Sequence, residues 1–339
     1  MRRPRLFSIS ALLMLALLGM TAVSLAVGRY PLSLADIWEF LQASVGLRDI
    51  GSERYALLYN IIVEIRLPRV LAAILIGAAL AISGASFQAV FRNPLVSPGI
   101  LGVLGGASFG AALGLLLSDQ WLVIQLLAFT MALLAVGFGV FIANLFGPAT
   151  MVTLVLGGII SGALFTALLS ITKYTADPYN ELPAIVYWLM GSLQAVQLTH
   201  ITAVAIPIIA GIVVLTLLGH ALDALSMGDD EARSLGVPVT AVRYGVIIMA
   251  TLISALSVSI AGIIGWVGLV VPNFARLAFG PANTRLLPLS ALIGSLFLLS
   301  ADLITRVITP AEIPIGIVTE LLGIPAFLLV LGRARRAWI

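Results

Sequence analysis

The chain has 339 residues, 61% hydrophobic and only 10% charged, with a mean hydropathy of +1.15; soluble domains are about a quarter charged, so this composition excludes one and requires a polytopic membrane protein. The net charge of +3 is no nucleic-acid signal, because the 18 basic residues include a single lysine, Lys173, and the arginines gather at the ends of apolar runs, as membrane topology demands. There is no cysteine, and the two histidines, His200 and His220, each stand beside a span end, which excludes a disulfide framework, a thiolate metal site and a histidine metal cluster.

Behind the basic start MRRPR, the run from Leu6 to Val27 is long enough for a hydrocarbon core of roughly 30 Å, which takes about 20 residues, and reads as a retained first helix rather than a signal peptide. Residues 29–68 form a long external loop whose middle, ADIWEFLQ, is amphipathic and suits a membrane surface. Pro68 stands where a proline opens a helix at no cost in hydrogen bonds, and a second span follows over residues 69–90. FRNPLVSPG breaks it, since its two prolines lack N–H groups. A third span, 99–117, carries Gly102, Gly106, Gly110 and Gly114 on one face, a seam for close helix packing. Spans at 121–146 and 151–172, a tyrosine- and tryptophan-rich segment with a short helix over 182–194, and a span at 201–218 lead to the most hydrophilic stretch, residues 219–243. Four more spans, at 244–260, 265–279, 287–304 and 315–331, bring the total to about ten, in one transmembrane domain over residues 1–339. Both termini then lie on one side.

That side carries Arg2, Arg3, Arg5, Arg92, Arg233, Arg243, Arg276, Arg285, Arg333, Arg335 and Arg336; the other carries Arg29, Arg48, Arg54, Arg66, Arg69, Lys173 and Arg306. The excess puts the termini and the 219–243 loop in the cytoplasm. DDEARSLG within that loop begins with acids and ends in glycine, the pattern of a short capped helix, and a polar island between spans is positioned to receive force from another protein. Arg66, Arg69 and Arg306 run against the bias at external span ends. One such arginine anchors a helix to headgroups; three on one face suit docking of an acidic partner. Asp302 lies near a span end and Glu320 inside the last span, which keeps open an ion-gradient-driven carrier, whereas no nucleophile, base or metal constellation supports an enzyme. A GxxxxGK[ST] loop is impossible around Lys173, so any ATP-hydrolysing step belongs to another chain.

MGDDEARSLGVPVTAVR, SVSIAGIIGWVGLVVPNFARLAFG, RLLPLSALIGSLFLLSADLITR and PAEIPIGIVTELLGIPAFLLVL, with RLPRVLAAILIGAALAISG and FRNPLVSPGILGVLGGASFGAALG earlier, resemble the FecCD-type permease subunits of ABC importers for iron-siderophores, haem and vitamin B12. The resemblance runs from Arg66 onward and implies an all-α, vitamin B12 permease-like (type II importer) fold. It implies a homodimer, two cytoplasmic ATPase subunits that hold the ATP and Mg²⁺, and an external binding protein, with no cofactor, catalytic group or metal in this chain. It further implies that Gly228, Asp229, Asp230, Glu231, Ala232, Arg233, Ser234, Leu235 and Gly236 form two short coupling helices on the ATPase. Arg66, Arg69 and Arg306 are implied to meet acids of the binding protein, and Asn93, Pro94 and Leu95 with Thr150, Met151 and Val152 to form the inner gate. Two positions depart from the family's pattern: the second gate loop has fewer hydroxyls, and Asn273 stands where a histidine is common. The cargo implied is a metal chelate; a related branch carries oxyanions such as molybdate.

Overall fold

The structure, a computed structural model, describes residues 3–338 except Arg29, Phe146, Pro148 and Pro310, and leaves aside the side chains of residues 3–7 and 333–338. Arg2 and Arg29 of the orientation tally therefore lie outside the described residues, as do the side chains of Arg3, Arg5, Arg333, Arg335 and Arg336.

Helix follows helix: α1 (Arg3–Ala26), α2 (Leu34–Ser44), α3 (Ser52–Tyr59), α4 (Leu67–Phe91), α5 (Val103–Leu117), α6 (Trp121–Asn144), α7 (Met151–Thr175), α8 (Glu181–Leu189), α9 (Leu198–Leu217), α10 (Gly219–Met227), α11 (Asp229–Ser234), α12 (Val239–Ala261), α13 (Val267–Phe279), α14 (Asn283–Val307) and α15 (Ile315–Trp338). Among the described residues, eight helical stretches are long and apolar enough to cross a membrane: in α1, in the continuous helix Ser52–Phe91 that ends with α4, and in α6, α7, α9, α12, α14 and α15. The expected third and eighth spans, α5 and α13, are shorter, and each follows non-helical chain, around a 3₁₀ turn at Pro98–Leu101 and across residues 262–266.

α4 is the hub. Nearly every residue of it is buried, and it packs against α9, α12, α13 and α14. Its run of Ala, Gly and Ser permits this: a Cβ on Gly77 would strike the backbone of Gly294 in α14, and one on Gly84 the backbone of Gly268 in α13. In lipid, where no hydrophobic exclusion drives helices together, such close approach supplies the packing energy. The α5 seam works the same way, with Gly106, Gly110 and Gly114 against Met131, Leu127 and Ile124 of α6.

Pro68 does not open its helix. The chain is helical from Ser52 through Phe91, with a π-helical stretch at Asn60–Arg66 just ahead of the proline. Proline cannot bond the carbonyl four residues back, and widening the preceding turn makes room for its ring. The 29–68 segment thus holds two helices of its own. α2 begins with a Ser33/Asp36 capping box, and Arg54 joins Asp36 (2.6 Å) and Glu39 (3.2 Å) across to α3. The short helix after α7 ends at Leu189 rather than 194.

Candidate functional site

Two helices, α10 and α11, occupy one face of the bundle between α9 and α12. Gly228, at φ 144°, turns the chain from one into the other, and Gly236, at φ 80°, closes α11 in the left-handed conformation that glycine adopts without strain. The two short helices therefore span residues 219–234, starting earlier than the expected 228–236, because Gly219 and the apolar Leu222 and Leu225 continue a buried helical face beyond α9.

Two aspartates, Asp229 and Asp223, tie this unit down. Arg243 Nη2 donates to both carboxylate oxygens of Asp229 at 2.8 Å, and Arg92, at the end of α4, adds an ion pair at 3.5 Å. The Arg243 hydrogen bond and charge hold the Asp229 carboxyl below the usual carboxylate range. Ala232 is fully buried beneath α11, while Asp230, Glu231, Arg233, Ser234, Leu235 and Gly236 face outward. Asp223 of α10 accepts hydrogen bonds from the backbone N–H groups of Asn283 and Thr284, and Asn283 Nδ2 donates to Ser226 Oγ at 3.2 Å. A carboxylate at the start of α14 satisfies otherwise unpaired donors and complements the helix dipole. The loop is thereby pinned to α4, α12 and α14 and presents a charged outer surface.

Beside it lies the break after α4. Arg92 closes α4 in the left-handed region (φ 50°), and the Asn93 side chain accepts from the Leu95 N–H at 2.9 Å. Asn273 Nδ2 donates to the carbonyls of Pro94 (2.9 Å) and Leu269 (2.8 Å). Arg276 in turn donates to Asn273 Oδ1 (2.8 Å) and Gln88 Oε1 (2.9 Å). Asn273, at the position where the resembled permeases commonly have a histidine, thus clamps α13 to the break. Gln88, Asn93, Asn273 and Arg276 line a cavity of about 520 Å³ reaching Phe327 of α15. The expected second gate loop comes close: Met151 and Val152 share a 250 Å³ hollow with Asn93. Thr150 spends its hydroxyl on the capping box of α7 with Thr153.

Arg66, Arg69 and Arg306 lie together at the opposite face, but inside it, at 4%, 7% and 7% exposure. Arg69 donates to Asp302 (2.6 Å), Glu312 (2.7 Å) and Thr305 (3.0 Å). Arg306 pairs with Asp302 at 3.2 Å and donates to the Ser24 and Val27 carbonyls, while Arg66 donates to those of Leu25, Ala26 and Tyr30. These guanidinium groups are buried and hydrogen-bonded within the protein rather than exposed at its rim, where the docking expectation places them. Two of them satisfy the unpaired carbonyls at the end of α1, and the third locks α4 to α14. The sequence expectation assumed that an arginine at a span end faces outward; Asp302, one turn from Arg306, was the residue that signalled otherwise.

Sequence reasoning did not single out Gln88, Asp223, Arg243 or Arg276 for roles. Arg276 was within reach, being three residues from Asn273 and hence on the same helical face; the partners of Asp223 and Arg243 lie 60 and 14 residues away in sequence and carry no local signal.

The profile of the FecCD transport family matches residues 14–333. The molybdate import system permease protein MolB of Haemophilus influenzae is 36% identical over 326 residues, covering 94% of this chain and 94% of that protein. An iron chelatin transport system permease protein of Helicobacter pylori is 38% identical over 321 residues, covering 95% and 97%. A solved inward-facing structure of a metal-chelate-type ABC transporter superposes with a TM-score of 0.84 at 33% identity, over 96% of this chain and 99% of that one.

Proposed function

The chain belongs to the FecCD transport family of ABC permeases, and from that premise we propose that it is the translocation subunit of an ATP-driven importer for a metal chelate: a ferric siderophore, haem or a corrinoid. The observation that carries this reading is the 219–236 unit, pinned through Asp229 to α12 and α4 and through Asp223 to α14, with an exposed charged outer surface. A surface so anchored passes a push on α11 directly to the helices beside the cavity.

In this reading the chain lies in the inner membrane with the 219–243 loop and both termini on the cytoplasmic side. Two copies of the chain frame a central path, and two ABC ATPase subunits carry the ATP and Mg²⁺. Residues 228–236 receive their motion, and the path opens to one side at a time. Asn93, Pro94 and Leu95, with Met151 and Val152, serve as the inner gate, whose arrangement the Asn273–Arg276–Gln88 network adjusts. An external binding protein delivers the cargo to the face that Arg66, Arg69 and Arg306 hold in shape. The chain performs no chemistry on the cargo, and weak lining suits a large solute that must also leave. A second reading, import of an oxyanion, is favoured by the likeness to the molybdate permease of H. influenzae.

The test is uptake into proteoliposomes holding this chain, its co-purified ATPase and a binding protein, with ferric siderophores, haem, cobalamin and molybdate as cargoes. ATP-dependent uptake of a chelate is the expected result. Uptake driven by an ion gradient without ATP overturns the reading in favour of a secondary carrier.

A further inference from the structure

α15 is apolar along most of its length, yet Glu320 sits at its sixth residue, roughly 8 Å along the axis at 1.5 Å per residue. The side chain is exposed on the protomer and makes no ion pair or hydrogen bond among the described residues. An acid facing hydrocarbon without a partner is costly, so an acid in this position faces water or a polar counterpart.

Its surroundings show which way it turns. Glu320 Oε1 lies 3.8 Å from the position a Cβ would take on Gly265, so the carboxyl group reaches sideways to the break between α12 and α13 rather than back along α15 toward the membrane surface. That break is irregular, with Gly262 at φ 69° and Trp266 at φ 68°. Non-helical backbone at membrane depth is tolerated only where protein buries it or where it lines a wetted cavity. Here a hollow of about 320 Å³ adjoins it, bounded by residues 263–266, by the second break at Ser97, Pro98 and Gly99, and by Glu320. Ser254, 1% exposed, lines the same hollow, and its hydroxyl has no hydrogen-bond partner. A buried hydroxyl without a partner marks a place where water or a solute completes the wall. Among the described residues no basic side chain lines the hollow, and Glu320 is its only charged group.

We propose that Glu320 gives the transport path a negative wall at this depth and so selects the cargo by charge, admitting neutral or cationic metal chelates and disfavouring oxyanions. The proposal rests on the importer reading and sharpens it: despite the likeness to a molybdate permease, this chain carries a group that repels molybdate.

The absence of cysteine makes a direct test available. Ser97→Cys in the otherwise unchanged full chain, reconstituted in lipid vesicles, serves as reporter, with Ser254→Cys as a second should the first fail to fold. Rates of modification by a cationic and an anionic methanethiosulfonate, each normalised to a free thiol, give the local potential. The cationic reagent is expected to react faster, and Glu320→Gln to reduce the cation-to-anion ratio about tenfold, the order expected for one charge roughly 6 Å away acting through water on reagents of opposite sign. In uptake assays the same variant admits more molybdate relative to a neutral ferric trihydroxamate. A ratio that Glu320→Gln leaves unchanged, or failure of either reagent to reach both reporter cysteines and a Glu320→Cys variant, overturns the proposal. The importer reading fails differently: ATP-driven uptake is then absent from wild-type vesicles even with the charge ratio intact.

Discussion

The two ends of α4 carry arginines in opposite circumstances. At its start Arg69 is sealed between Asp302 and Glu312 with 8% of its side chain exposed; at its end Arg92 is 40% exposed and stands 3.5 Å from Asp229. Both mark the end of the same apolar span, and in sequence they look alike. The first is part of the packing, and the second edges the exposed, charged face of α11. Burial separates them: with water excluded, Arg69 interacts strongly and its removal strands a buried carboxylate, whereas the charge of Arg92 is screened.

Substitutions at the two ends sharpen that contrast. Arg69→Ala is expected to have the largest effect, a loss of about 3–5 kcal/mol in stability, because it leaves Asp302 buried with one arginine fewer. Thermal unfolding in detergent measures it, and an Asp302→Ala partner variant that gives purely additive losses would contradict a coupled pair. Next comes the network beside the break. Arg276→Leu deprives Gln88 and Asn273 of donors and should cost about 1–3 kcal/mol, while raising cysteine accessibility at a Leu95→Cys reporter; unaltered accessibility would separate the network from the break.

Asp229→Asn is expected to cost about 1–2 kcal/mol, since Asp229 is partly solvated, and to loosen residues 228–236 in hydrogen exchange while sparing α4 and α14. A pH series carries its own sign. The folded loop holds Asp229 below its ordinary value of 3.8, so its contribution is complete above that value and fades as the pH falls through the lower folded one. Exchange protection of the loop should therefore be flat from neutral pH down to about 5 and drop only in stronger acid, and Asp229→Asn should abolish the drop. Smallest in stability is Asp230→Ala with Arg233→Ala, an exposed i,i+3 pair expected to change unfolding by less than about 0.5 kcal/mol. If residues 228–236 are the coupling surface, this pair nonetheless lowers co-purification of the ATPase. Intact association would move that surface elsewhere.

Much of this was legible in sequence, for identifiable reasons. A hydrocarbon core demands long apolar runs, so the spans announced themselves, and the glycines of α5 advertised close packing by their spacing alone. Gly228 and Gly236 punctuated the 219–243 loop because left-handed backbone favours glycine. The π-helical entry to α4 was hidden, since Pro68 suits a helix start as well as it suits a widened turn. The fate of Arg66 and Arg306 was hidden too, because the carbonyls they cap lie at the end of α1 and just beyond it, 36 to 41 and 279 to 282 residues away.

The sequence by itself determined the membrane class, the approximate number of spans, the polar loop and the family resemblance, all of which rest on hydropathy and local spacing. Only the tertiary structure decided which charges are spent inside the protein and which remain free. Arg69 and Arg306 are balanced by Asp302 and Glu312 because α4 and α14 cross at Gly77 and Gly294, and Glu320 stays unpaired among the described residues because α15 turns it toward the break at Gly265. A charge's role depends on its partners and its exposure to water, and helices brought together from distant parts of the chain set both.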